Sequence, residues 1–166
     1  MKEILAKDAF SKLKPELVTF VLSTDGNQPN GQIVARFMKV SRNPPLVAIS
    51  VSKQSNTNRL IKTSKEFVIA TANQKLLPHV DVFGSKSGKN VNKFDKTKIE
   101  TTKAKHLVTP LLKNATINFE CKLEKEIDAG NSTLFVGKIL AAHINENEKT
   151  LCNFGKGHGE YIFKEL

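Results

Sequence analysis

Long apolar runs are missing from this chain of 166 residues: none approaches the ~20 residues of a membrane span. The N-terminus, Met1–Asp8, carries acidic residues where a signal peptide needs a continuous apolar stretch. Cysteine is scarce. Cys121 and Cys152 have no CxxC spacing and make a poor disulfide framework, so the expected location is cytoplasmic. Catalytic signatures are lacking too, with no HExxH, no Walker-type GxxxxGKS/T and no GxSxG elbow. His79, His106, His143 and His158 lie far apart without ligand spacing, which argues against a metal site. Asp81 and Asp95 read as surface or capping carboxylates rather than an acid/base pair. Protein side chains alone offer no convincing catalyst. If the chain is an enzyme, a bound cofactor carries the reaction.

What is present is an ordinary folded composition with a formal charge of +10. The excess is partly local: residues 84–113 hold eight lysines against Asp95 and Glu100, a net of +6. All of these cations are Lys, and Phe94 is the aromatic that interrupts them. Readers of single-stranded nucleic acid interleave aromatics with basic groups as stacking platforms, so a solvated basic face is favoured over a nucleic-acid site. One or two of the lysines could instead reach a bound phosphate. Lys156, among glycines near the C-terminus, reads as a mobile surface lysine.

The most informative stretch is Asn30–Leu60. Two strand-like runs, Gln32–Val40 and Leu46–Ser52, flank the turn Ser41-Arg42-Asn43-Pro44-Pro45. The second empties into the polar loop Ser52–Asn58, which opens a helix over Asn58–Ser64. Hydroxyls, amides and free backbone N–H groups before a helix N-terminus suit an anion, although most such clusters only cap the helix. Elsewhere the patterning predicts a helix at Ala6–Leu13, strands at Leu17–Ser23 and Glu66–Ala72, and helical spacing at Leu76–Phe83. Further strands follow at Ala115–Lys125, Ser132–Ala142 and Gly159–Phe163, with a turn-rich excursion at Gly84–Thr109. Six or seven strands on short turns, with two or three helices interposed, argue for one domain over 1–166. Its expected fold is mainly β with flanking helices, an antiparallel barrel.

Ordered pieces of the chain resemble the flavin reductase-like FMN-binding split-barrel family, which includes flavoredoxins. They are Asn30-Gly31-Gln32, Pro44-Pro45-Leu46-Val47, Ser55-x-Thr57 before Leu60-Ile61, Glu66-Phe67-Val68, Asp81-x-Phe83, Ser87-Gly88 and Lys93-Phe94. Phe119-Glu120-Cys121-Lys122, Gly130–Gly137 and Gly159-Glu160-Tyr161 complete the series. The resemblance implies a homodimeric split barrel binding FMN near the subunit interface. It implies that Ile33, Val34, Ala35, Arg36 and Phe37 lie along the isoalloxazine with backbone hydrogen bonds. It also implies that Ser50, Val51, Ser52, Ser55 and Thr57 hold the ribityl and phosphate groups, with Asn58 at the helix start. Lys89 or Lys93 is expected to support the charged end of the cofactor or the dimer partner's site.

The chain departs from the family pattern in places. Ile33 and Ala35 stand where hydroxyl side chains are common, Arg36 is an unusual charge, and Ser132 replaces a frequent histidine. Arg36 could stabilise reduced flavin, bind phosphate or face solvent. Gly157-His158-Gly159 offers a histidine near the position where some members have one. Three functions stay open: an NAD(P)H:flavin oxidoreductase, a flavoredoxin-type carrier served by a redox partner, and a basic barrel binding nucleic acid. The scarcity of aromatics opposes the third.

Overall fold

The computed structural model describes residues 1–157 and 159–166. Its centre is a seven-stranded antiparallel sheet whose strands come in the order β3-β2-β6-β9-β10-β5-β4. These strands are β2 (Thr19–Ser23), β3 (Asn30–Val34), β4 (Phe37–Ser41), β5 (Leu46–Ser52), β6 (Glu66–Thr71), β9 (Ile117–Ala129) and β10 (Ser132–Ile144). A short sheet adds β1 (Glu16–Leu17), β11 (Leu151–Gly157) and β12 (Glu160–Glu165), and a two-stranded ribbon joins β7 (Thr101–Thr102) to β8 (Leu111–Leu112). Among the described residues four α-helices accompany them: α1 (Ala6–Lys12), α2 (Asn56–Ser64), α3 (Leu77–Ser85) and α4 (Lys93–Thr97).

The two edge strands of the large sheet, β3 and β4, are consecutive in the chain. The run expected as one strand over Gln32–Val40 is broken at Ala35-Arg36. Before the break the chain pairs with β2, and after it with β5, so the edges meet at this corner without a ladder between them. The result is a barrel open along one seam. At the corner the Phe37 N–H donates to the Ala35 carbonyl at 3.0 Å and the Ser50 N–H to the Arg36 carbonyl at 3.0 Å.

Strands β2 and β6 are buried on both faces, which explains their continuous apolar runs. On one side Phe20, Leu22, Val68, Leu76, Phe83 and Leu151 form a cluster beneath α3. On the other, Val21, Ile49, Val51, Phe67, Ile69 and Phe135 fill the barrel. Each such side chain, fully buried, contributes about 1.5–3 kcal/mol. Cys121 and Cys152 are free and buried, and burial pushes both thiols up, helped at Cys121 by the Glu120 carboxylate. Both therefore pack as small hydrophobes and carry no thiolate at neutral pH.

Several boundaries differ from the sequence expectation. Helix α2 begins at Asn56, two residues earlier than expected, because Ser55 caps it. Leu17–Ser23 divides into β1 and β2, since Val18 leaves the ladder and its N–H donates to Leu151 at 3.1 Å. Helix α3 is preceded by a 3-10 turn at Gln74–Leu76 and runs on to Ser85. Strands β9 and β10 pair with each other well beyond their expected ends, to Ala129 and Ile144. Helix α4 and strands β7, β8 and β11 were not expected. They are too short or too polar to leave a periodic pattern. Among the described residues, no helix is long and apolar enough to cross a membrane.

Candidate functional site: a polar cradle at the barrel seam

Strand β5 leads the chain along the seam to the first turn of α2. Ser55 is the N-cap: its Oγ accepts from the Asn58 N–H at 3.1 Å and donates to the Ser52 carbonyl at 3.0 Å. The loop before it is tightened by the Ser55 N–H donating to the Ser52 carbonyl at 3.1 Å and the Lys53 N–H to the Asn131 carbonyl at 3.1 Å. Asn58 is buried, and its side-chain amide donates to the Val51 carbonyl at 3.2 Å, fixing the helix to the end of β5. Among the described residues no acceptor within the chain takes the N–H groups of Asn56 and Thr57. Those two donors stand at the positive end of a nine-residue helix, an arrangement that could cradle an anion.

The opposite wall comes from β3 and from the segment after α3. The Asn30 amide donates to Thr57 Oγ1 at 3.3 Å, with both residues buried. The Asn56 amide donates to the Gly88 carbonyl at 3.3 Å. Gly88 lies so close to Asn30 that an added Cβ would be 2.1 Å from Asn30 Oδ1, so only glycine lets the segment close down on the cradle. Beside the cradle runs the seam itself, where the N–H groups of Ala35 and Arg36 also lack an acceptor among the described residues. An open cavity of about 370 Å³ adjoins it, lined by Ile33, Ala35, Val80, Gly84, Ser85 and Tyr161 among others.

The structure thus brings the expected residues to different stations. Ser50, Ser52, Ser55 and Thr57 follow one another from β5 into the first turn of α2, the Ser50 N–H joins the chain to Arg36 at the break, and Arg36 is exposed while Thr57 is buried. Val34 and Val51 point into the barrel core. Ile33 faces the cavity beneath α3. Phe37, paired with Ile49, packs at the margin of the barrel cluster, its ring centroid 6.4 Å from that of Phe119. Lys89 is exposed next to Gly88, whereas Lys93 is buried and its ammonium donates to the Gly31 and Phe83 carbonyls at 2.8 and 3.0 Å. Ser132 is buried at the start of β10, paired with Ser52. His158 lies outside the described residues. Lys156 is exposed, with its ammonium 4.8 Å from the Tyr161 ring centroid.

Asn30, Asn56 and Gly88 were not among the expected site residues. Asn30 and Gly88 did stand in motif fragments, but no local spacing reveals that an asparagine on β3 meets a glycine 58 positions later. A second polar cluster lies far along β9 and β10. There the buried Glu120 carboxylate accepts from the Lys105 and His106 N–H groups at 2.9 and 2.7 Å, and His143 Nε2 lies 2.7 Å from it. Burial raises the Glu120 pKa, but these donors outweigh it and hold the carboxyl below its ordinary range. This cluster anchors the lysine-rich excursion to the barrel.

Comparison with known proteins gives the arrangement a context. Residues 12–160 match the flavin reductase like domain. The FMN reductase (NADH) of Agrobacterium fabrum is 29% identical over 144 residues, covering 87% of this chain and 78% of its own. The FMN-binding protein of Thermus thermophilus superposes with a TM-score of 0.86 at 23% identity, over 99% of this chain and 97% of that one. A flavoredoxin of Methanosarcina acetivorans does so with a TM-score of 0.85 at 21% identity, over 100% and 91%. At these identities the two solved structures show a shared fold. The family match spans nearly the whole chain, from before β1 to the start of β12, and on it the chain belongs to the flavin reductase-like family.

Proposed function

We propose that the protein binds FMN and passes electrons between a reduced nicotinamide and that flavin. The carrying observation is the cradle. Free N–H groups of Asn56 and Thr57, a hydroxyl oriented by Asn30, and a glycine wall at Gly88 suit a terminal phosphate. The free N–H groups at Ala35 and Arg36 suit the carbonyl and nitrogen edge of a flat ring laid along the seam. Bound flavin would supply the two-electron chemistry that no side chain here supplies.

The chain's own residues then have distinct tasks. Ser55 has committed its proton to Ser52 and a lone pair to Asn58, so it shapes the cradle. Thr57 accepts from Asn30 and keeps its hydroxyl proton for an incoming oxyanion. Ile33, Val80 and Tyr161 exclude water from part of the adjoining cavity, which has room for a planar donor ring against the seam. Asp81, Ser85 and Asn153 are its polar lining. The name of the Agrobacterium relative supports NADH as donor.

A homodimer belongs to the same proposal. Met38 and Val40 on β4 and Leu140 and Ile144 on β10 are exposed, and Val40 also borders a broad apolar trough of about 610 Å³. Its lining includes Phe37, Pro45, Leu46, Phe119 and Ile139. A second copy covering this trough would lie beside Arg36 and the seam.

A flavoredoxin-type carrier is the second reading, favoured by Ser132, which offers no imidazole at the head of β10. Purified protein loaded with FMN and titrated anaerobically with NADH or NADPH tests the choice. Bleaching of the flavin absorption by stoichiometric nicotinamide supports the oxidoreductase. Bleaching by dithionite with none by either nicotinamide supports the carrier, and failure to retain FMN at all contradicts both.

A further inference from the structure

Lys93 stands apart from the other lysines of its segment. The residue is 3% exposed, and its ammonium lies 5.6 Å from the Phe83 ring centroid as well as on the two carbonyls of Gly31 and Phe83. An ammonium has three donors, and among the described residues no protein acceptor takes the third. Nor does any carboxylate among them form an ion pair with it. Strand β3, packed against it, has no ionisable side chain. Helix α3 carries His79 and Asp81, and the segment after it Lys86 and Lys89. On α4 itself Asp95 is held by Asn92, and Lys96 is exposed.

A buried ammonium facing only neutral oxygens and a ring is costly, and burial pushes the Lys93 pKa down to about 8. Its carbonyl partner identifies where compensation would come from. Gly31 follows Asn30, the residue whose amide holds Thr57 and whose side chain meets Gly88. The unpaired charge is therefore bonded to the carbonyl of the residue next to Asn30 in the cradle wall.

We propose that Lys93 is the internal counter-charge for the phosphate of the bound flavin, a positioning residue that holds β3 against α3 and acts on the phosphate through the wall it supports. The proposal rests on the FMN reading above. In the free protein the charge has no counter-ion, and an oxyanion in the cradle supplies one. Binding an anion then favours protonated Lys93, so FMN affinity is full below about pH 8 and falls as pH rises through the free-protein pKa. Riboflavin has the same ring without the phosphate, so the ratio of the two affinities isolates the effect.

The test is a fluorescence titration of wild-type apoprotein with FMN and with riboflavin between about pH 7 and 9.5, repeated on Lys93→Met and Lys93→Arg. The expected result is an FMN dissociation constant that climbs above pH 8 with a limiting slope of about tenfold per pH unit, while riboflavin stays flat. Lys93→Met should abolish that slope and weaken FMN roughly tenfold at pH 7 with riboflavin little changed, and Lys93→Arg should retain tighter FMN binding than Met. Parallel pH profiles for the two flavins, or equal loss of both in the Met variant, would overturn the proposal and leave Lys93 a structural latch. Should the variants not fold, the wild-type pH series decides alone. Binding of neither flavin by the wild type would remove the FMN reading together with this one, a result distinct from parallel profiles.

Discussion

Replacing Thr57 with valine keeps the side chain's shape and removes its hydroxyl. Thr57 is 1% exposed, with Oγ1 taking the Asn30 amide at 3.3 Å, so the change acts in two separable ways. First, the hydroxyl proton proposed to meet the phosphate is gone. A hydrogen bond to a charged group is worth about 1.5–3 kcal/mol, so the FMN dissociation constant should rise roughly tenfold to a hundredfold. Second, the buried Asn30 amide loses its acceptor, at a cost of about 1–3 kcal/mol of folding stability. The binding effect is read by flavin fluorescence with FMN and riboflavin side by side, and the stability effect by urea unfolding of the apoprotein. Because riboflavin carries no phosphate, its affinity should move by less than about threefold, the size of a small loop adjustment. Unchanged FMN affinity, or an equal loss for both ligands, would refute the assignment of the phosphate to this cradle.

Other expectations follow from the same geometry. In Gly88→Ala the new Cβ would collide with Asn30, displacing either that side chain or the 86–92 segment. FMN should bind about tenfold more weakly, with a stability loss of about 1–3 kcal/mol by thermal unfolding. Ser55→Ala removes the α2 cap and should cost about 0.5–2 kcal/mol in urea unfolding, with FMN and riboflavin both weakened because the whole loop loosens. Glu120→Gln should destabilise the barrel by about 1–3 kcal/mol at neutral pH by leaving a donor among Lys105, His106 and His143 unsatisfied. Since the folded pKa of Glu120 is lowered, its contribution is present above the unfolded value near about 4.3 and lost as pH falls through the folded one. Acid unfolding should therefore start at higher pH in wild type, relative to its neutral stability, than in the Gln variant. Met38→Glu should turn the proposed dimer into a monomer by sedimentation velocity, while far-ultraviolet circular dichroism stays the same.

The sequence made the strands of the central sheet legible wherever burial alternates or is continuous, as in Leu46–Ser52, which runs as expected, and Glu66–Thr71. It did not reveal the break at Ala35-Arg36, because neither residue is a glycine or proline and strand-forming residues, Ile33-Val34 before and Phe37 and Val40 after, stand on both sides. That break makes the seam. The loop from Ser52 to Thr57 was visible from its hydroxyls, but their division of labour was not: one hydroxyl caps, the other is held by an asparagine on a different strand. Lys93 reads like every other lysine in its basic segment. Only packing separates it, since burial depends on α3 and β3 folding over a helix too short to show periodicity.

Titrating the apoprotein with FMN and with riboflavin at neutral pH, followed by flavin fluorescence, decides whether the seam and the α2 cradle hold FMN by its phosphate. The expected result is saturable FMN binding at one site per chain, with riboflavin at least roughly tenfold weaker for want of the phosphate contacts. Equal affinity for the two flavins, or no saturable binding of FMN, would contradict it.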